Sequence, residues 1–67
     1  FRLKCQEILS EMRRQGLKRY WVADISGIHK TTLRRWLSGH ITTVKGDNVF
    51  KLAETLGQHW QQIAERV

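Results

Sequence analysis

The sequence predicts an all-α fold, a compact bundle of five short helices. Three observations carry this reading. The 67 residues contain no proline. The five glycines, Gly16, Gly27, Gly39, Gly46 and Gly57, stand where helices can end or turns begin, and they cut the chain into helix-sized pieces. Within the pieces, apolar residues recur at spacings that put them on one side of a helix. No low-complexity tract or internal repeat interrupts the pattern. The length allows one domain, residues 1–67, with little spare core.

The first helix is expected from about Arg2 to Gln15, where Cys5, Ile8, Leu9 and Met12 make one apolar stripe and Gly16 supplies the C-terminal cap. The second runs from about Arg19 to Ser26 and closes at Gly27. Its inward residues are Val22, Ala23 and Ile25, helped by Leu17 and by one of Tyr20 and Trp21. The third runs from about Lys30 to Leu37 and ends at Gly39, with Leu33, Trp36 and Leu37 facing the core. Residues 40–46 read as a loop. Their β-branched members favour a strand, but no partner strand is evident, so Ile41 and Val44 are expected to anchor the loop to the core. Asp47 is expected to N-cap a fourth helix from about Asn48 to Leu56, striped by Val49, Leu52, Ala53 and Leu56, with Phe50 beside them and Gly57 after them. A fifth helix is expected from about His59 to Arg66, turning Trp60, Ile63, Ala64 and Val67 to the bundle. Trp36 and Trp60 read as core, and Cys5 as a buried structural thiol.

Charge and composition exclude several classes of function. A single cysteine, Cys5, forms no internal disulfide and fits a reducing compartment, and His29, His40 and His59 stand too far apart for a zinc motif. No apolar run approaches a membrane span and no signal-peptide pattern is present. A chain starting at Phe1 reads as a domain excised from a longer protein. The six acidic residues make no carboxylate pair near a histidine, and the chain is too small to enclose a substrate pocket. No catalytic residue, metal, cofactor or small-molecule substrate is therefore expected. The net charge is +6 and is unevenly spread. Residues 17–46 hold Lys18, Arg19, Lys30, Arg34, Arg35 and Lys45 against Asp24 alone, whereas residues 47–67 are net acidic. A basic patch of this kind suits a polyanion: nucleic acid, an anionic membrane or an acidic protein.

Residues 19–38 discriminate among these partners. Two short helices cross at close range when the first carries a small residue midway, here Ala23. The turn four positions later needs a residue that accepts positive φ, here Gly27. Apolar residues must then follow the turn and line the second helix, here Ile28, Leu33, Trp36 and Leu37. This is the frame of a helix-turn-helix. On the opposite side of the same helix Thr31, Arg34, Arg35 and Ser38 share one face at i, i+3, i+4 and i+7. All four donate hydrogen bonds and none is acidic. Arginine pairs in bidentate fashion with guanine, and threonine bonds base edges or touches a thymine methyl. His29 and Lys30 stand at the N-terminal end of that helix, the end that normally enters the major groove.

The segments Val22-Ala23-Asp24-Ile25-Ser26-Gly27-Ile28, Leu33 to Gly39 and Lys51 to Gly57 resemble the lambda-repressor-like, or Xre/Cro-type, family over about residues 17–57. The resemblance implies a five-helix lambda-repressor-like bundle whose third helix reads DNA. Base-reading positions would fall on Lys30, Thr31, Arg34 and Arg35. Phosphate-contacting positions would fall on Arg19, Ser38, His40, Thr42 and Lys45, with His29 as a further polar contact. The sequence departs from the family at three places. Arg19 stands where glutamine is common. His29 replaces the usual serine or threonine cap, so a weaker cap is expected. The 39–46 loop lacks the usual proline. The implied partner is double-stranded DNA with a palindromic operator bound by a homodimer, and the implied role is a repressor in bacterial cytoplasm or, for a phage protein, in host cytoplasm. Two other readings compete: an antitoxin-like or adaptor protein-interaction module using Tyr20 or Trp21 and the last helix, and RNA or non-specific DNA binding.

Overall fold

The computed structural model describes residues 1–40 and 43–67. Its elements in order are β1 (Arg2–Leu3), α1 (Cys5–Gln15), α2 (Arg19–Ser26), α3 (Lys30–Leu37), α4 (Gly46–Leu56), α5 (Trp60–Ile63) and β2 (Ala64–Glu65). The five helices are those the apolar periodicity anticipates. One hydrophobic core joins them: Ile8 of α1, Val22 of α2, Leu33 of α3, Leu52 and Leu56 of α4 and Ile63 of α5 are all sealed from solvent. Burying such a side chain is worth about 1.5–3 kcal/mol. A chain of this size therefore needs each helix to contribute. α2 packs against both α3 and α4, and α1 against α3 and α5.

Several local expectations are corrected. α1 starts at Cys5, because Arg2–Leu3 pairs instead with Ala64–Glu65 in a two-stranded antiparallel ribbon, with Arg2 opposite Glu65 and Leu3 opposite Ala64. The same pairing shortens the last helix to Trp60–Ile63. Ala64 is fully extended at φ −152, the Ile63 carbonyl accepts from the Lys4 amide at 2.7 Å, and Val67 points to solvent. Loop residue Thr43 does have a strand-like partner, since it bridges to Arg2, and Val44 and Phe1 exchange backbone hydrogen bonds. Val44 packs on the core as anticipated, while Ile41 lies outside the described residues. α4 begins at Gly46 with Lys45 as its N-cap, so Asp47 sits in the first turn, where its charge still favours the helix dipole. Gly46 itself is not a turn glycine. A Cβ there would stand 3.0 Å from the Phe1 ring, so its missing side chain makes room for that ring.

Exposure differs from expectation on α2. Ile25 is 56% exposed and Tyr20 and Trp21 are both exposed, while the third inward position is Ser26. Serine is tolerated there because its hydroxyl donates to the Ala23 carbonyl at 3.3 Å and accepts from the Ile28 amide at 3.3 Å. Trp36 is buried as expected. Trp60 is half-buried and meets Phe1 and Phe50 edge-to-face at 5.2 and 6.3 Å. Cys5 is half-buried, with its Sγ 3.0 Å from the Trp36 carbonyl, where it donates a weak hydrogen bond to α3.

A polar cluster fastens the end of α1 to the end of α4. Glu11 accepts from Arg14, from Gln15 at 2.7 Å and from Gln58 at 2.8 Å, while Gln15 also donates to the Leu56 carbonyl at 2.6 Å. The Arg14 guanidinium, with the two amides, holds the Glu11 carboxyl below its ordinary value. Arg2 does the same to Glu65 across the ribbon. A carboxylate with a depressed folded-state pKa stabilises the fold above its unfolded value, and the contribution fades as pH falls through the folded value. Glu11→Gln should therefore lose less thermal stability than the parent chain between about pH 7 and pH 3. Melting curves followed by circular dichroism at the two pH values test this, and an identical loss in both proteins would contradict it.

Candidate nucleic-acid interface

The unit formed by α2, Gly27-Ile28-His29 and α3 is built by local chemistry. Gly27 adopts φ +77 and its amide bonds the Ala23 carbonyl at 3.0 Å, closing α2. Ala23 is buried and small, so α3 can cross α2 closely. Ile28 is buried and ties the turn to the core. His29 then starts α3. Its Nδ1 accepts from the Thr31 amide at 3.2 Å, so imidazole does the work expected of serine or threonine, and the expectation of a weaker cap is met by a cap that is made. With Nδ1 an acceptor, the ring proton belongs on Nε2, which is left as an outward donor.

The inner side of α3 is Leu33, Trp36 and Leu37, all buried. The geometry of a helix fixes what its opposite side displays. Arg34, Arg35 and Ser38 are exposed there and Thr31 is half-buried, with Lys30 exposed at the N-terminal end. Every one of these groups donates hydrogen bonds. At the C-terminal end the Ser38 hydroxyl lies 3.0 Å from the Arg35 carbonyl and 2.7 Å from His40 Nδ1. A hydroxyl has one proton, so with that proton on Arg35 the His40 ring donates to Ser38 Oγ. Gly39 at φ +83 turns the chain and places His40 back over the helix end, its amide on the Arg35 carbonyl at 3.1 Å.

Several concavities surround this face. One of about 490 Å³ holds Lys18, Arg19, Tyr20, Lys30, Thr31 and Arg34, so the N-terminus of α2 opens toward the first turns of α3. α2 has no side-chain cap, which leaves its first amides free at that mouth. A second, of about 530 Å³, holds Arg34, Arg35, Ser38 and His40. A third runs along the turn and includes Asp24, Gly27, His29 and Lys30, so Asp24 puts an acidic edge on that flank. Among the described residues the ion pairs are Arg2 with Glu65 and Arg14 with Glu11, both away from α3. The cations of α3 and Arg19 are thus left without carboxylate partners, and a cleft lined by one sign of charge concentrates ions of the other sign.

A family model described as Helix-turn-helix matches residues 9–63. The chain belongs to the helix-turn-helix family. It is of the Xre and lambda-repressor-like kind, DNA-binding regulators of transcription. No curated protein and no solved structure matches it significantly. In this helix-turn-helix α2 is the first helix and α3 the second.

The structure brings most of the anticipated site residues together. Lys30, Thr31, Arg34 and Arg35 share α3, Arg19 shares a concavity with three of them, and Ser38 and His40 share another with both arginines. His29 is spent on the cap through one nitrogen. Lys45 is exposed but lines none of these concavities, standing instead at the start of α4. Thr42 lies outside the described residues. Sequence reasoning placed Lys18 in the basic patch and Tyr20 in the core or a protein-binding surface and named neither as a DNA contact, yet both line the α2–α3 concavity. Lys18 was legible in principle, as the basic residue just ahead of a helix start. Tyr20 was not, because nothing in the apolar pattern separates it from a core aromatic.

Gly27 gives a direct test of this geometry. Among the described residues nothing beyond its chain neighbours lies within 4 Å of a Cβ placed there, so Gly27→Ala meets backbone strain at φ +77 and no tertiary clash. That strain is about 1–2 kcal/mol. Urea unfolding should show the loss, and Gly27→Asn should lose less, since asparagine visits this region more readily. Equal losses for the two variants would contradict a purely conformational role.

Proposed function

We propose that this chain binds a defined double-stranded DNA sequence by laying α3 in the major groove. The observation that carries the reading is the exposed, acid-free face of α3, with Arg34 and Arg35 opposite the buried Leu33, Trp36 and Leu37. In this reading Lys30, Thr31, Arg34 and Arg35 contact base edges. Arg19, His29, Ser38 and His40 contact phosphates and set the register of the helix, with Lys45 and Thr42 reaching the backbone further along. Phosphate contacts position a protein on DNA, while base contacts specify the sequence.

The biological role we propose is a transcriptional repressor of phage or bacterial origin, bound as a homodimer to a palindromic operator. A helix filling the major groove blocks the site to other proteins, and a two-fold dimer demands a two-fold site. Half-site centres then lie one helical turn apart, about 34–36 Å. A second reading has one observation in its favour. Tyr20, Trp21 and Ile25 are 68%, 42% and 56% exposed on α2, an apolar surface that a protein partner could cover.

The experiment is a binding selection from a random duplex pool at physiological salt. The expected result is one enriched, symmetric motif. Arg34→Ala should relax preference at one base position in each half-site and weaken the selected duplex by about 1–3 kcal/mol. Retention that depends on salt but enriches no motif would overturn the sequence-specific reading. An unchanged motif with Arg34→Ala would remove that residue from base readout.

A further inference from the structure

We infer that Arg13 of α1 grips a DNA backbone phosphate, so that the interface extends past the helix-turn-helix onto the first helix. This rests on the duplex-binding reading above and adds a positioning residue to it. The observation is a groove of about 510 Å³ between the end of α1, the start of α2 and the end of α3. Its floor is apolar, with Leu9, Leu17 and Leu37, and its rim carries Arg13, Arg19 and Arg34. Lys18 adds a further cation, and no acidic residue lines the groove.

Arg13 and its neighbour Arg14 have the same chemistry and different circumstances. Successive residues on a helix point about 100° apart. Arg14 is turned to Glu11, which it meets through Nε at 3.2 Å and through Nη2. Arg13 is turned to the groove, and among the described residues it has no carboxylate partner. Like charges gathered in one concavity repel one another until an anion enters. The groove is also continuous with the recognition surface. Arg34 and Ser38 line both it and the concavity that holds Arg35 and His40. A duplex seated on α3 has its backbone along the flank of that helix, which is where the groove opens. An apolar floor under a cationic rim matches deoxyribose carbons beside a phosphate.

The test compares Arg13→Gln with Arg14→Gln, which remove the same charge from adjacent positions. Both sites are exposed, and glutamine is a good helix former, so both variants keep the helix. Binding to the selected duplex and to a scrambled duplex of equal length is measured by fluorescence anisotropy between about 0.05 and 0.2 M salt. Arg13→Gln should lower the slope of log affinity against log salt by about 0.9 on both duplexes, leaving the enriched motif unchanged. Affinity at physiological salt should fall roughly three- to tenfold. Arg13→Lys should restore most of the slope, and Arg14→Gln should leave it near the parent value. Equal loss in both glutamine variants would mean that net charge alone acts, and would overturn the inference. So would an unchanged slope in Arg13→Gln while the parent chain still selects its motif. Failure of the parent chain to bind duplex at all would instead overturn the reading on which the inference rests.

Discussion

The close crossing of α3 over α2 is the constraint on which the rest of this structure depends. It needs a small side chain at Ala23, a positive φ at Gly27 and a buried Ile28 after the turn. Ser26 makes the same junction from inside, with its hydroxyl shared between the Ala23 carbonyl and the Ile28 amide. Once α3 is seated, the periodicity of the helix determines its outer face. Burial of Leu33, Trp36 and Leu37 leaves Arg34, Arg35 and Ser38 no direction but outward. The core therefore sets the outer face of α3 by building itself.

Charge is sorted by the same architecture. Two of the cations away from α3 are held by carboxylates, Arg2 by Glu65 across the ribbon and Arg14 by Glu11 along α1. The cations around α3 are not. Surface ion pairs contribute little to stability, so their value here lies in which charges they leave free. Of the concavities around α3, one is lined by an acidic residue, Asp24. The result is a one-signed face on a protein that carries twelve basic residues against six acidic ones. Such a face draws in a polyanion over distances comparable to the Debye length.

The helix-turn-helix was legible in the sequence because its signals are local. Stripe, small residue, turn glycine and outer face all lie between Arg19 and Ser38, and each is a consequence of helix geometry. What escaped was non-local or contrary to type. The β1–β2 ribbon joins residues 63 positions apart, and two-residue strands are too short to show a period of two. That ribbon is also what curtailed the fifth helix and exposed Val67. Ile25, expected inside for its apolarity, faces solvent, while two local hydrogen bonds make Ser26 acceptable in the core. Of the site itself, the α3 residues were readable as a face, but Tyr20 and Arg13 come together with them only in three dimensions.

Backbone amide chemical shifts during titration with a duplex at physiological salt decide whether the face α3 displays is the face that meets DNA. Shifts should concentrate on α3 from Lys30 to Ser38, on the N-terminus of α2 and on Gly39 and His40, with α4 beyond its first turn and the β1–β2 ribbon unmoved. Shifts centred instead on Trp21 and Ile25, or on the aromatic group of Phe1, Phe50 and Trp60, with α3 silent, would contradict it.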